Sequence, residues 1–219
     1  MNCEPKLILG IETATINCSV GLVRGEKIIG QQSVTDRAIH SEKLIELIDS
    51  LLKPRLTLLE IAAIAVSIGP GSYTGLRIGL ATAKGLVFNG NKPLLPVPTL
   101  TVLEAVARSE TDKKAVFFIK SHRDLIYYTV AHENEPLVLK RPVAHDRIET
   151  VARLFPQHQL IGNDAFDDQF GERLKVCYPT GEITALIAAR FYSELLALSR
   201  PDLEPDYYSN LEAKTWPRC

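Results

Sequence analysis

Ser67-Ile68-Gly69-Pro70-Gly71-Ser72-Tyr73-Thr74-Gly75-Leu76-Arg77-Ile78-Gly79-Leu80 is the stretch on which the fold turns. An apolar run over residues 61–68 enters it with strand character, glycine and proline break it, and a helical pattern over 74–88 leaves it. A glycine turn between strand and helix exposes backbone N–H groups at the positive end of a helix, which suits an anion. It is equally a tight turn with a Ser or Thr helix cap. It is not a Walker A loop, because no Gly-Lys-Ser or Gly-Lys-Thr follows. Nor is it a Gly-x-Gly-x-x-Gly fingerprint, because Thr74 stands where the last glycine belongs.

Upstream, residues 7–11, 18–23 and 27–34 read as three strands joined by polar turns at 13–17 and Arg24-Gly25-Glu26, an antiparallel meander. Ser41 precedes a helix with Leu44, Leu47, Ile48 and Leu51 at helical spacing, stopped by Pro54. Downstream come a strand at 94–97 and a helix at 99–108. The polar stretch 110–114 is the expected boundary between a lobe at 1–109, carrying the first two helices, and a smaller, more divergent lobe at 110–219. Paired strands at 115–120 and 125–132 open the second part, and a long helix at 183–198 with an irregular tail closes it. The β-β-β-α-β-α order followed by a β-rich half predicts two related α/β lobes.

Across 219 residues, 46% are hydrophobic and 23% charged, the composition of a folded chain with a sizeable core. Lysine plus arginine count 25 against 26 acidic residues, so the net charge is −1. That balance argues against autonomous nucleic-acid binding through a broad basic surface. Cys3, Cys18, Cys177 and Cys219 are too scattered for a disulfide scaffold, and no apolar run approaches the ~20 residues that span a bilayer. No signal-peptide pattern opens the chain, and a cytoplasmic location is expected.

The helix after the glycine loop carries only Arg77 and Lys84 as charges, on one narrow stripe, and is apolar or small in nearly every other direction. Such a helix is expected to be buried on more than one side. Gly75, Gly79 and Ala83 form a small-residue strip that admits another helix, from this chain or from a partner. The preceding helix also has apolar surface to spare at Ile45 and Leu52. Chemistry-bearing patterns are few. His40, His122, His132, His145 and His158 contain no His-x-x-x-His pair, so no metal site is expected. Asp164, Asp167 and Asp168 read as a helix start. Ser72 lacks a nucleophile elbow. Tyr127, Tyr128, Tyr207 and Tyr208 are not interleaved with basic residues. Glu12, ending the first strand, can orient a metal-bound nucleotide. No complete catalytic set emerges.

The segments 7–13, His40-Ser41-Glu42-Lys43-Leu44 and 69–79 together resemble the TsaB/YeaZ family, the bacterial dimerisation subunits for threonylcarbamoyladenosine synthesis on tRNA. The likeness is specific over roughly the first 105 residues, and Pro205-Asp206-Tyr207-Tyr208 resembles the family's C-terminal proline-tyrosine segment. The resemblance implies an actin-like, sugar-kinase-like (ASKHA) fold of two lobes. It also implies a non-catalytic scaffold that supports a catalytic paralogue of the TsaD type and works with a small ATPase subunit of the TsaE type. That paralogue carries a His-x-x-x-His metal pair, and Thr99 and Leu103 stand at the matching positions here; neither can replace an imidazole on a metal. Family dimers pair their first two helices, which places a partner interface at His40, Leu44, Leu47, Leu51, Gly75, Leu76, Ile78, Gly79 and Ala83. On that reading Gly79→Leu blocks partner binding and leaves the monomer folded. A homodimer is expected when the chain is alone, with tRNA met only through the complex and no membrane contact. Many relatives carry aspartate where Glu12 stands, so the carboxylate here is displaced by about one C–C bond (~1.5 Å). Glu12, Thr13, Gly69 and Gly71 thereby mark a vestigial nucleotide cleft, and no cofactor is implied. The competing readings are a free-standing small-molecule kinase of the same fold, binding magnesium-ATP, and a peptidase.

Overall fold

The apolar run at the start forms β1 (Leu7–Glu12), every residue of it buried. Its alternation feeds two cores. Leu7, Leu9 and Ile11 face one side of the sheet, and Ile8 faces the other. The computed structural model describes residues 5–35, 40–53, 56–88, 92–108 and 113–208, with the side chains of His40 and Ser41 excepted. β2 (Asn17–Arg24) and β3 (Lys27–Thr35) complete the meander, turning at Gly25, whose φ of 61° suits glycine. α1 (His40–Leu52) leads to a single 3-10 turn at Leu58–Glu60 and then β4 (Ala63–Ser67), which runs parallel to β1. α2 (Tyr73–Val87) returns to β5 (Leu94–Val97), parallel to β4, and α3 (Thr99–Arg108) leaves it. The sheet order is β3-β2-β1-β4-β5.

The second half repeats this plan. β6 (Ala115–Lys120), β7 (Leu125–Ala131) and β8 (Ala144–Arg147) form a meander. After α4 (Ile148–Leu154), β9 (Gln159–Gly162) pairs parallel with β6, and β10 (Leu174–Val176) pairs parallel with β9. Read from its meander edge, the order β8-β7-β6-β9-β10 matches the first sheet in order and polarity. The two related lobes predicted from the element order are therefore present as two sheets of one topology.

Helices cross between the halves. α3, from the first half, lays Leu100, Leu103 and Ala107 on Phe117 and Ile119 of the second sheet. α5 (Gly181–Arg190), from the second half, covers the first sheet with Ala185, Ile187 and Ala188 beside Ile8 and Ala65. Glycine makes that approach close. A Cβ at Gly10 would collide with Gly181 and Ala185, and one at Gly21 would collide with Glu182. A cut between 109 and 110 would separate the strands of the two sheets but strip each of a covering helix.

The expected single helix over 183–198 is two helices, α5 and α6 (Tyr192–Ala197). The break lies at Phe191, with φ −106° and ψ 33°, whose N–H closes α5 on the Ile187 carbonyl at 2.9 Å. The bend lets Leu195 join the same core as Ala185 and Ala188. Two further expectations are corrected. The strand read at 61–68 begins at Ala63, after the 3-10 turn. α2 is buried on one face only, through Gly75, Leu76, Gly79, Leu80 and Ala83. Ile78, Leu86 and Val87 are half-buried and Phe88 is 85% exposed. Among the described residues, no helix is long and apolar enough to cross a membrane.

Candidate functional site

β1 and β4, adjacent and parallel, end side by side and bring Glu12 next to Ser67. Glu12 is fully buried. Its Oε1 accepts the Ala14 N–H at 2.6 Å and its Oε2 accepts the Ser67 hydroxyl. Ser67 Oγ in turn lies 3.5 Å from Thr184 Oγ1 on α5. Burial drives the Glu12 carboxyl up from its ordinary 4.5 to about 7, against the lowering influence of the hydrogen bonds from Ser67 and Ala14. Ser67 lies within the stretch that decides the fold, yet nothing local marks it as a partner of Glu12. Thr184 is 117 residues from Ser67, and no sequence signal could have joined them.

The glycine loop folds down onto the turn after β1. Ser72 N–H donates to the Ala14 carbonyl at 2.7 Å, and Thr13 Oγ1 donates to the Gly75 carbonyl at 2.8 Å. Added Cβ atoms at Gly71 and Gly75 would run into Ala14 and Thr13 respectively. Gly69 has φ +125°, and a Cβ there would sit 2.6 Å from the Asp206 carbonyl oxygen. The C-terminal strap is held to the same spot by Asp206 N–H donating to the Ile68 carbonyl at 2.7 Å. Of the two readings of the loop, the capped turn describes its contacts, since Ser72 Oγ accepts the Gly75 N–H at 3.2 Å. Of the residues expected at a vestigial nucleotide cleft, Glu12 and Thr13 are buried, Gly71 lies against Ala14, and Gly69 lies against the strap at Asp206.

The expected partner interface divides. Leu44, Gly75, Leu76, Gly79 and Ala83 are buried within the chain. The small-residue strip is occupied from inside, because a Cβ at Gly79 would collide with Thr13 Oγ1 and one at Gly75 with the Thr13 carbonyl. The strip therefore seats the β1 turn, not a partner helix, and Gly79→Leu must disturb the monomer itself. Leu47, Leu51 and Ile78 are half-buried, and Ile45 is 53% exposed. The side chain of His40 lies outside the described residues.

Thr99 and Leu103 are both employed in packing. Thr99 Oγ1 accepts the Gly69 N–H at 3.1 Å, its own N–H donates to the Gly69 carbonyl at 2.9 Å, and Leu103 lies in the core under the second sheet. Asp164, read as part of a helix start, pairs with Lys120 at 2.7 Å and precedes only a short 3-10 turn, Phe166–Asp168. Among the described residues, no three His, Cys, Asp or Glu side chains converge as a metal cage. Tyr207 packs at a tilt against Tyr73, with ring centroids 4.9 Å apart, and the Tyr73 hydroxyl accepts from Arg77 at 2.8 Å. Spacing along the chain could not reveal that cluster.

Comparison with known proteins agrees with this geometry. A family model described as "TsaD: tRNA N6-adenosine threonylcarbamoyltransferase" matches residues 32–195, more than half of the chain. The tRNA threonylcarbamoyladenosine biosynthesis protein TsaB of Escherichia coli is 27% identical over 222 residues, covering 93% of this chain and 94% of that one. TsaB of Haemophilus influenzae is 31% identical over 125 residues, a match spanning 56% of this chain and about half, 52%, of that relative. The solved structure of YeaZ from Pseudomonas aeruginosa superposes with a TM-score of 0.77 at 22% identity, over 92% of this chain and 99% of that chain. The last likeness concerns the fold, which is the two-lobed actin-like, sugar-kinase-like architecture. With its matched span and its TsaB relatives, the chain belongs to the family of the tRNA N6-adenosine threonylcarbamoyltransferase model, in its TsaB/YeaZ group.

Proposed function

We propose that this chain is a non-catalytic scaffold subunit in the formation of threonylcarbamoyladenosine on tRNA, beside the anticodon of tRNAs that read codons beginning with A. It acts in the cytoplasm, holding a catalytic paralogue of the TsaD type and working with a small ATPase of the TsaE type. The observation that carries this reading is the use made of Thr99 and Leu103. At the positions where the paralogue's histidine pair belongs, a hydroxyl ties down the glycine loop and a leucine fills the core. The buried, hydrogen-bonded Glu12 supports it, because a carboxylate without solvent access serves the fold and not a magnesium nucleotide.

The partner surface is the outward side of α1 and α2, with Ile45, Leu47, Leu51 and Ile78 as its apolar centre. The same side pairs two copies of the chain when no partner is present. It meets tRNA only through the complex. A tRNA modification assay with this subunit omitted and then restored tests the role directly; modification without it would overturn the proposal. Ile45→Glu should abolish co-purification with the catalytic paralogue while leaving the thermal midpoint unchanged, since surface substitutions shift stability by only about 0.5 kcal/mol. Calorimetry with magnesium-ATP should give no micromolar binding to the isolated chain; such binding would favour the kinase reading.

A further inference from the structure

Where α3 faces α5, a groove of about 560 Å³ opens that the scaffold role does not use. Leu137, Ile183 and Leu186 contribute apolar lining, and Arg108, Glu135 and Arg190 contribute charge. The charges do not balance. Glu104, its side chain only 1% exposed, accepts from Arg108 Nε at 2.8 Å and from Arg141 Nε at 2.9 Å. Arg141 also reaches Glu135 at 2.8 Å. Both carboxylates are thus engaged, while Arg190 stacks on Phe191 and has no carboxylate partner among the described residues. Arg108 and Arg141 thus share the two carboxylates, and the third guanidinium, Arg190, pairs with neither. In addition, Arg108 Nη2 is buried and has no hydrogen-bond acceptor among the described residues. Buried donors are nearly always satisfied, and an orphan beside a groove marks a missing acceptor.

We propose that this groove binds a small organic anion, with a carboxylate or phosphate head on Arg108 and Arg190 and an apolar body against Leu137, Ile183 and Leu186. Guanidinium groups match both heads through paired N–H donors. The volume lies in the range of small-molecule sites, roughly 300–1,000 Å³. A bare phosphodiester backbone would leave the leucine and isoleucine side chains uncovered, so the lining favours a small amphipathic ligand over nucleic acid.

The full chain is titrated with hexyl phosphate, hexanoate, inorganic phosphate and hexanol, followed by amide chemical shifts and calorimetry. Hexyl phosphate, hexanoate or both should saturate at millimolar concentration or below, with shifts centred on Leu137 and residues 183–187. The tighter of the two identifies the head group. Inorganic phosphate and hexanol should each bind at least about tenfold more weakly, because each supplies only half of the recognition. Arg190→Glu, at an exposed position, should weaken binding by roughly tenfold or more without changing the thermal midpoint. Arg108→Gln, which leaves Glu104 paired with Arg141, should weaken binding likewise while lowering the thermal midpoint through the lost pair with buried Glu104; if it fails to fold, Arg190→Glu carries the test. Absence of saturable binding by either acid, shifts confined to another face, or equal affinity in Arg190→Glu would overturn the proposal.

Discussion

β1 and β6 occupy the same place in two sheets of one topology, each with a meander on one side and a parallel strand on the other. Their ends differ. β1 closes on Glu12, fully buried, bonded to Ser67 at the end of β4 and roofed by the glycine loop, α2 and the strap. β6 closes on Lys120, whose side chain is 31% exposed and pairs with Asp164 just beyond β9. Its N–H donates to Asn163 Oδ1 at 2.7 Å, and the turn that follows holds exposed His122 and Arg123. The first end is a packed interior and the second a wet surface. Shared topology thus fixes where the strand ends lie, while the loop laid over them decides whether a charge there is a structural liability or a solvated ion pair.

The largest expected effect sits in the roof of the closed end. Gly75→Val places a branched side chain against the Thr13 carbonyl, which is backbone with no flexible tip to yield. It should cost about 3 kcal/mol or more in urea unfolding. A loss under about 1 kcal/mol would mean the loop is not clamped on the β1 turn.

Glu12→Gln comes next, and its sign depends on pH. The folded-state value, about 7, lies above the ordinary 4.5, so between these values the native state holds more protons than the unfolded chain. Stability from the neutral carboxyl is full below about 4.5 and is lost as pH rises through 7. The amide keeps an acceptor for Ala14 N–H and can donate to Ser67, so Glu12→Gln should stabilise the fold at pH 8, by up to about 3 kcal/mol, and give no gain at pH 4. Equal gains at both pH values would contradict a raised carboxyl.

A milder test uses the same helix as the first. Among the described residues a Cβ at Gly85 meets nothing within 4 Å, so Gly85→Ala should raise stability by about 0.5–1 kcal/mol, opposite in sign to Gly75→Val. Chemical denaturation of the two variants side by side shows whether glycine in α2 serves packing at one end only.

The smallest effect belongs to the open end. Asp164→Asn removes the partner of a partly exposed lysine and should cost about 0–1 kcal/mol, shrinking further in high salt. A loss comparable to that in Gly75→Val would erase the distinction between the two strand ends.

The elements that could be read from the sequence were those carried by local pattern. The apolar run of β1, the turn at Gly25, the spacing of Leu44, Ile48 and Leu51, and Thr99 at the start of α3 each depend on neighbours a few residues away. The family likeness rested on the same stretches, above all 69–79. Among the site residues, Glu12 and the glycine loop were visible because residue type and position at a strand end suffice to flag them. The break at Phe191 was not, since an apolar pattern continues across it and only the demand that Leu195 reach the core beside β5 bends the chain.

The sequence by itself determined the α/β class, the expectation of two related lobes and the kinship with TsaB and YeaZ, because periodicity and short motifs are properties of adjacent residues. It could not decide whether the Gly75–Gly79–Ala83 strip was a partner surface or an internal seat, since both need the same small residues. Only the tertiary structure decided that, by bringing Thr13 against α2 across 62 residues of chain. For the same reason the arginine excess around Glu104 could not be read along the chain. Its members come from α3, the stretch after β7 and α5, and their charge balance exists only where those elements meet.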